Sequence, residues 1–385
     1  MRERSKGDAD FLRPRVKPEH RPYRTVDGHV RIGSVIHGIG AEIADPDGWV
    51  WALTQALDGY RSPRQIAAEV AASHAAVDEG AVLQAMADLR QAGFLEDAAT
   101  GVPGELSERE EVRYGRGVSL LRWMDTSPRG NSWDLQLSLS RARVLLIGLG
   151  GAGGIAAQGL VASGVGSLHC VDPDVVELSN LNRQVLYRER DIGRDKVEVA
   201  LESLRALNSD VAVTGEVDEV RNAEDLVRLL QKRVAGTEGY DLMVLSADRP
   251  AAIRSWANQA CLETGTPWID GGYRGPLVTA GAYVPGKSGC LECYRSSQAE
   301  SRDLRLPPGQ HEDTVSPRMP WSPVNAVTAS LAGALFVYAA IAVLTGVPPL
   351  HPGFRLEFNL MLPGEPGWEP VHRRRDCQVC GEAVR

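Results

Sequence analysis

Residues 143–184 read RVLLIGLGGAGGIAAQGLVASGVGSLHCVDPDVVELSNLNRQ, and the rest of the chain is organised around this stretch. The apolar run Val144 to Ile147 has the character of a buried parallel strand. Gly148, Gly150, Gly151, Gly153 and Gly154 follow where that strand should turn into a helix. Glycine lets the backbone approach an anion closely, and a helix N-terminus offers free N–H groups and a positive dipole end, so a phosphate site is expected here. A second strand, Leu168 to Val171, delivers Asp172. The offset from the glycines is about twenty residues, where a carboxylate takes ribose hydroxyls in dinucleotide-binding folds. A nucleotide is therefore expected, although the loop alone suits NAD, FAD or S-adenosylmethionine equally well.

The following residues narrow the choice. SNLNRQ, Ser179 to Gln184, and the downstream Lys196 place an amide, Asn180, and two cations, Arg183 and Lys196, near the glycines. That is more positive charge than a pyrophosphate needs, and it suits a triphosphate and a charged transition state. Lys196 falls in the first turn of a helix, where a cation is electrostatically unfavourable. Its presence there points to a task other than helix stability. With these motifs the sequence resembles the ATP-dependent adenylyltransferase superfamily of ubiquitin-activating type, the ThiF/MoeB group, from about Arg113 to the C-terminus.

That resemblance implies further roles. In the family, glycines at the positions of Gly148, Gly150, Gly151 and Gly153 shape the phosphate loop, and Asp172 holds the ribose. Asn180, Arg183, Gln184 and Lys196 line the nucleotide. DLMVLSAD, Asp241 to Asp248, reads as another apolar strand, and its final carboxylate matches the family's magnesium-binding aspartate. Magnesium accepts one or two carboxylates plus substrate phosphates, which suits a lone Asp248. Arg249 stands where the family usually has Asn. RYGRG, Arg113 to Gly117, matches a segment whose second arginine, here Arg116, reaches the phosphates of the partner subunit's nucleotide. Gly117 replaces the usual Gln after it. Asp174 and Glu177 are assigned no catalytic role. Asp270, Gly271 and Gly272 either line the acceptor channel or form a turn.

Cys290-Leu-Glu-Cys293 and Cys377-Gln-Val-Cys380 are two knuckle-spaced pairs. Four thiolates so arranged predict a closed, structural zinc site. Cys170 and Cys261 fall inside a strand and a helix and read as core residues. Some relatives pass the activated acyl group to a cysteine on the loop after the first pair, but the segment 294–323 contains none. The adenylate is thus expected to meet an amine or amide of the substrate, or a partner's sulfur. The segment 326–347 is long and apolar enough to span a membrane. Because it lies between cysteine pairs that must meet, and is rich in Ala and Gly, a buried helix is expected instead.

The N-terminal part is of another kind. Residues 1–21 are charged and proline-bearing and read as a disordered tail without the apolar core of a signal peptide. Residues 22–97 read as a small α+β, winged-helix-like domain. It opens with a hairpin turn at Asp27-Gly28, followed by helices marked by Val50, Leu53 and Leu57, by the capping sequence Ser62-Pro63-Arg64-Gln65, and by Val82, Met86 and Leu89. This order resembles the PqqD-like peptide-recognition module, which implies leader-peptide binding by strand addition. A structural appendage or dimer element has the same outline. Residues 98–112 read as a linker, and 113–385 as the adenylation domain.

A net charge of −8 argues against a general nucleic-acid binder, and six cysteines with four in metal-type spacing point to a reducing, cytoplasmic setting. The fold expected is α/β, a Rossmann-like doubly wound, mostly parallel sheet preceded by the small α+β domain. The resemblance implies a homodimer using ATP, Mg2+ and structural Zn2+ to adenylate a carboxylate of a precursor peptide, with a partner maturation enzyme possible and neither nucleic acid nor membrane involved. Two other readings stand beside it: a non-catalytic leader-binding partner of a cyclodehydratase, and activation of a ubiquitin-like sulfur carrier.

Overall fold

A computed structural model of the chain describes residues 11–234, 237–302, 304–307, 319 and 323–381. It divides into two compact units, residues 1–137 with 347–349, and residues 138–346 with 350–385.

The first unit begins with β1 (Pro14–Val16), then β2 (Tyr23–Arg24), β3 (Val30–Ser34) and β4 (Ile39–Ile43), which form an antiparallel sheet in the order β2-β3-β4. Gly28, with φ of +86°, makes the turn between β2 and β3 that Asp27-Gly28 predicted. Three helices follow, α1 (Trp49–Ala56), α2 (Pro63–Ser73) and α3 (Glu79–Gln91). Ser62 and Gln65 form the reciprocal capping box at the start of α2. Ile32, Leu53, Ile66, Val82 and Phe94 fill the core between sheet and helices.

Two boundaries differ from expectation. Residues 1–10 lie outside the described residues, but 11–21 are not a disordered tail: β1 pairs with β5 (Leu95–Asp97), and Phe11, Lys17 and His20 are buried. One aromatic anchor and a backbone ladder order a segment too poor in apolar residues to look structured. Nor do residues 98–112 form a linker throughout. Ser107 and Glu110 make a capping box that starts α4 (Glu108–Met124), so RYGRG lies inside a helix of the first unit. The Ser-x-x-Glu pattern was present in the sequence but was masked by its polar surroundings. α5 (Trp133–Arg141) carries the chain into the second unit.

There the chain runs through β6 (Arg143–Ile147), α6 (Gly151–Ala162), β7 (Ser167–Val171), α7 (Lys196–Leu207), β8 (Ala212–Glu216), α8 (Ala223–Leu230) and a short hairpin of β9 (Arg233–Val234) and β10 (Thr237–Glu238). β11 (Leu242–Leu245), α9 (Ile253–Thr264), β12 (Trp268–Arg274), β13 (Leu277–Tyr283), α10 (Leu291–Ser301), α11 (Ala326–Thr345), β14 (Phe354–Asn359) and β15 (Gly367–Pro370) complete it. The main sheet has the order β15-β14-β13-β12-β11-β6-β7-β8. β12, β11, β6, β7 and β8 run parallel, and the remaining neighbours pair antiparallel. Alternate residues of β6 serve opposite faces: Val144 and Leu146 pack with α6, α7 and α11, whereas Leu145 and Ile147 pack with α8 and α9. This is why its apolar run is continuous.

α11 is long and apolar enough to cross a membrane, yet its inner face is core: Ala332, Phe336, Ala339 and Ala340 are buried against the sheet and α6. Its small residues permit close helix approach. A Cβ added at Gly333 would lie 2.5 Å from Ile155 Cβ, and one at Gly159 of α6 would lie 2.5 Å from Val337 Cγ2. The apolar sequences of α6 and α11 explain each other.

Candidate active site

β7 lies on one side of β6 and β11 on the other, so the chain changes winding direction at β6. Ligands of open α/β sheets bind at such a switch point, outside the carboxyl ends of the strands. The glycine loop sits there, and its glycines serve different ends. Gly148 has φ of +94°, and a Cβ on it would meet the backbone of Ala247 at 2.9 Å. A Cβ on Gly153 would lie 2.0 Å from the Gly148 carbonyl oxygen, and one on Gly151 2.8 Å from Ala329 Cβ. These three are required by the protein's own packing. Gly150 is not: its nearest contact would be Gln184 Nε2 at 4.0 Å. The open side of the loop is therefore at Gly150, the N-cap of α6.

The polar residues around this opening are tied down to different degrees. Asp172 is buried; its Oδ2 accepts from Leu149 N at 2.6 Å and its Oδ1 from Asp174 N at 2.9 Å. Burial pushes its carboxyl above the usual range, opposed by the Lys196 charge. Asp172 thus clamps the glycine loop. Tyr187 does so from the other side, its hydroxyl donating to the Leu149 carbonyl at 2.8 Å. Asn180 Oδ1 accepts from Glu177 N at 3.1 Å and fixes a helical turn at 178–180. Gln184 differs: its amide oxygen is buried without a hydrogen-bond partner among the described residues, and its amide nitrogen is the group nearest the open side of Gly150. An unpaired buried acceptor costs about 1–3 kcal/mol. Together with the open side at Gly150, it fits a ligand that donates a hydrogen bond here, such as a nucleotide.

Lys196 is the first residue of α7 and is buried, and its Nζ donates to Asp174 Oδ2 at 2.7 Å. The unfavourable helix-end charge is thus neutralised by Asp174, a residue to which sequence reasoning gave no role although it belongs to the same Asp-x-Asp pair as Asp172. Arg183 donates to the Ser179 carbonyl at 2.9 Å and to Asn182 Oδ1 at 3.0 Å. Its side chain flanks Gly151, and its charge acts on the Tyr273 phenol, as does that of Asp248. Burial raises the Tyr273 pKa, and Arg183 opposes that rise. Tyr273 had no motif to announce it.

Asp248 lies three residues beyond β11 rather than within it, and its side chain is 73% exposed. Its Oδ1 accepts from Arg254 Nη2 at 2.8 Å. Arg254 also approaches the buried Asp270, Nε to Oδ2 at 3.3 Å, and Asp270 Oδ1 accepts from Arg355 Nη1 at 2.6 Å. This chain of charges depends on register. Asp270 of β12, Gly281 of β13 and Arg355 of β14 stand opposite one another, and the missing side chain at Gly281 lets the Arg355 guanidinium cross the middle strand. Asp270, Gly271 and Gly272 lie within β12 and do not form a turn, and Asp270 belongs to an ion network that reaches Asp248 through Arg254. An accessible carboxylate beside the loop fits a magnesium ion held with phosphates. Arg116 lies on the exposed face of α4, in the first unit, whereas the other proposed nucleotide residues belong to the second.

The four cysteines converge as predicted. Their Sγ atoms lie within 4.8 Å of one another, with Cys290–Cys293 at 4.0 Å, Cys290–Cys377 at 3.7 Å and Cys293–Cys380 at 3.4 Å. Sulfurs about 2.3 Å from a tetrahedral zinc stand roughly 3.8 Å apart, so the set is compatible with zinc. The segment after the first pair is not all loop, since α10 occupies its beginning; residues 303, 308–318 and 320–322 lie outside the described residues.

A ThiF family model matches residues 121–379. The chain belongs to the ThiF family. Among its relatives, it is 35% identical over 167 residues to the molybdopterin-synthase adenylyltransferase of Escherichia coli K12, covering 43% of this chain and 60% of that one. It is 38% identical over 160 residues to the sulfur carrier protein ThiS adenylyltransferase of Bacillus subtilis, covering 41% and 45%. The chain thus spans about half to three fifths of these relatives' length. Among solved structures, E. coli MccB with ATP superposes with a TM-score of 0.69 at 23% identity, covering 96% of this chain and 99% of that one. MccB with N-formylated MccA gives 0.70 at 24%, with the same coverage. These likenesses show the fold, including the small N-terminal unit.

Proposed function

We propose that this protein is an adenylyltransferase that activates a carboxylate of a ribosomally made peptide with MgATP. A carboxylate oxygen would attack the α-phosphorus, the bond from the α-phosphorus to the bridging oxygen would break, and pyrophosphate would leave with that oxygen, giving an acyl-adenylate. The observation that carries this reading is the ThiF-family glycine loop, open at Gly150 beside the Gln184 side-chain amide, whose oxygen is buried without a hydrogen-bond partner among the described residues. The extra N-terminal unit favours a peptide over a carrier protein, because the fold likeness to MccB runs through it.

In this reading Gly148, Gly151 and Gly153 keep the loop in shape, and Gly150 admits the phosphates. Lys196 and Arg183 neutralise charge as it develops, and Asn180 and Gln184 orient the nucleotide, with Asp172 at its ribose side. Asp248 would hold magnesium, which would supply further charge neutralisation on the phosphates. Arg116 is assigned to the same phosphates from a partner subunit of a homodimer. Catalysis is positioning and electrostatics, and no protein nucleophile is needed. Cys290, Cys293, Cys377 and Cys380 would hold a zinc ion that ties the second cysteine pair to the first.

A second reading, activation of a sulfur carrier with a Gly-Gly terminus, is favoured by the higher sequence identity to the two carrier-type relatives. Pyrophosphate exchange into ATP separates the two. Exchange dependent on a short peptide encoded nearby, lost in Lys196→Ala and Asp248→Ala, supports the first. Exchange dependent only on a ubiquitin-like carrier overturns it in favour of the second.

A further inference from the structure

The chain leaves the first unit's strands at Asp97 and comes back to them. Asp97 N donates to the Gly130 carbonyl at 3.0 Å, and Asn131 Nδ2 to the Gly101 carbonyl at 2.9 Å. Between these points α4 runs out and returns, and its last turn is gripped by residues a hundred positions away. Arg122 makes a two-armed ion pair with Glu19, Nε to Oε2 at 2.9 Å and Nη2 to Oε1 at 2.6 Å, and its Nη1 lies 3.5 Å from Glu96 Oε2. Only 19% of the Arg122 side chain, 12% of Glu19 and 7% of Glu96 remain exposed.

Lys17 is fully buried, and its Nζ donates to the carbonyl of Asp125, the C-cap of α4, at 2.7 Å while its own N–H bonds the Phe94 carbonyl. Burial lowers its pKa, against the pull of Asp125, Glu96 and Glu19. Gly93, with φ of +77°, is pressed so closely that a Cβ would lie 2.4 Å from the Thr126 carbonyl carbon.

Apolar packing would hold a helix end as firmly as these charges do, because a buried ion pair is a poor source of net stability. What fork-shaped and buried polar pairs add is one fixed geometry. The residue whose position they fix is Arg116. It stands six residues before Arg122, about 9 Å along the helix axis at 1.5 Å per residue. It lies on the exposed side, while Tyr114, Val118 and Leu121 face inward.

We propose that residues 11–131 form one rigid body in which Arg122 and Lys17 are positioning residues that fasten α4 to the strand module, so that Arg116 moves with whatever the module binds. This rests on the proposed function for the roles of Arg116 and of the module, but the fastening itself does not. A peptide docked on the module would then set the placement of the phosphate-binding arginine, and recognition and activation would be one event instead of two joined by a tether.

The test needs neither ATP nor peptide. Spin labels are placed on the full-length chain at Ala87→Cys, exposed on α3, and at Arg116→Cys, diluted with unlabelled chain to suppress distances between subunits. The distance distribution is then measured in the Arg122 background, in Arg122→Lys, and in Glu19→Gln/Arg122→Met, which removes both charges of the pair and leaves Glu96 with Arg15 at 2.6 Å. A single narrow distribution is expected in the first, broadened about two-fold or more in the double variant with intermediate width for the lysine, while circular dichroism stays unchanged. A broad distribution with Arg122 intact, or an unchanged one in the double variant, overturns the proposal. A narrow distribution in the labelled chain, together with no pyrophosphate exchange by the unlabelled wild-type chain with any peptide, refutes the catalytic reading and leaves the fastening standing.

Discussion

Replacing Gly281 by alanine adds one methyl group at a strand position, and the structure makes that methyl costly. The new Cβ would lie 2.5 Å from Arg355 Nη1 and 2.6 Å from its Cδ. Nonbonded carbons prefer about 3.5–4.0 Å, so the guanidinium must retreat by roughly 1 Å. The Arg355–Asp270 contact, 2.6 Å now, then passes the limit of an effective hydrogen bond at about 3.2 Å. Among the described residues Asp270, which is buried, keeps only Arg254 at 3.3 Å. Breaking a buried pair by removing one partner costs about 3–5 kcal/mol. A displaced partner retains part of its attraction, and alanine gains about 0.5–1 kcal/mol over glycine through the unfolded chain. The net expectation is a loss of about 2 kcal/mol, or roughly 4–8 °C in Tm for a unit of this size. Urea denaturation of both proteins, followed by tryptophan fluorescence, measures it. In an Asp270→Asn/Arg355→Met background the same substitution should cost much less. A Gly281→Ala variant as stable as the parent would refute the cross-strand account.

Gly150→Ala is expected to leave stability within about 0.5 kcal/mol and weaken ATP binding, because its methyl meets open space. Gly153→Ala should destabilise outright through its clash with the Gly148 carbonyl; calorimetric titration and thermal melts of the two variants separate binding from folding. Purified protein should carry one zinc per chain by elemental analysis, and Cys293→Ser should lose the metal together with several kcal/mol of stability. Asp241 is pushed up by burial, but its hydrogen bonds and charge interaction with Arg143 outweigh this and leave its pKa below the ordinary 3.8. Its contribution is therefore present above about pH 3.8 and lost as pH falls through the lowered value. Asp241→Asn should cost about 1 kcal/mol at pH 7 in urea denaturation, and the gap should close in strong acid.

Much of the second unit was legible because its signals are local. Val144 to Ile147 is apolar throughout, the glycines follow at once, and Cys-x-x-Cys spacing is itself a ligand geometry. The first unit was read less well. Phe11 and Lys17 look like members of a charged tail until β5, eighty residues on, supplies the partner strand. Ser107 and Glu110 are a capping box in any context, but their polar neighbours hid the helix they begin. Asp174 seemed one surface acid among many, since nothing nearby in sequence reveals that Lys196 lies against it. Arg254, Tyr273 and Arg355 carried no pattern at all.

By itself, then, the sequence determined the elements whose cause lies within a few residues: the strand and turn at Arg143 to Gly154, the thiolate pairs, the helix capped by Ser62 and Gln65, and the family to which they point. Only the tertiary structure decided which charges meet. Lys196 with Asp174, Arg355 across Gly281 with Asp270, and Arg122 with Glu19 are set by strand register and by the return of α4 onto β5 and the turn after β1. These relations join residues 22 to 103 positions apart. Periodicity and capping act over one or two turns of chain, whereas an ion pair requires only that two groups be close in space, and that closeness exists only once the sheet has formed.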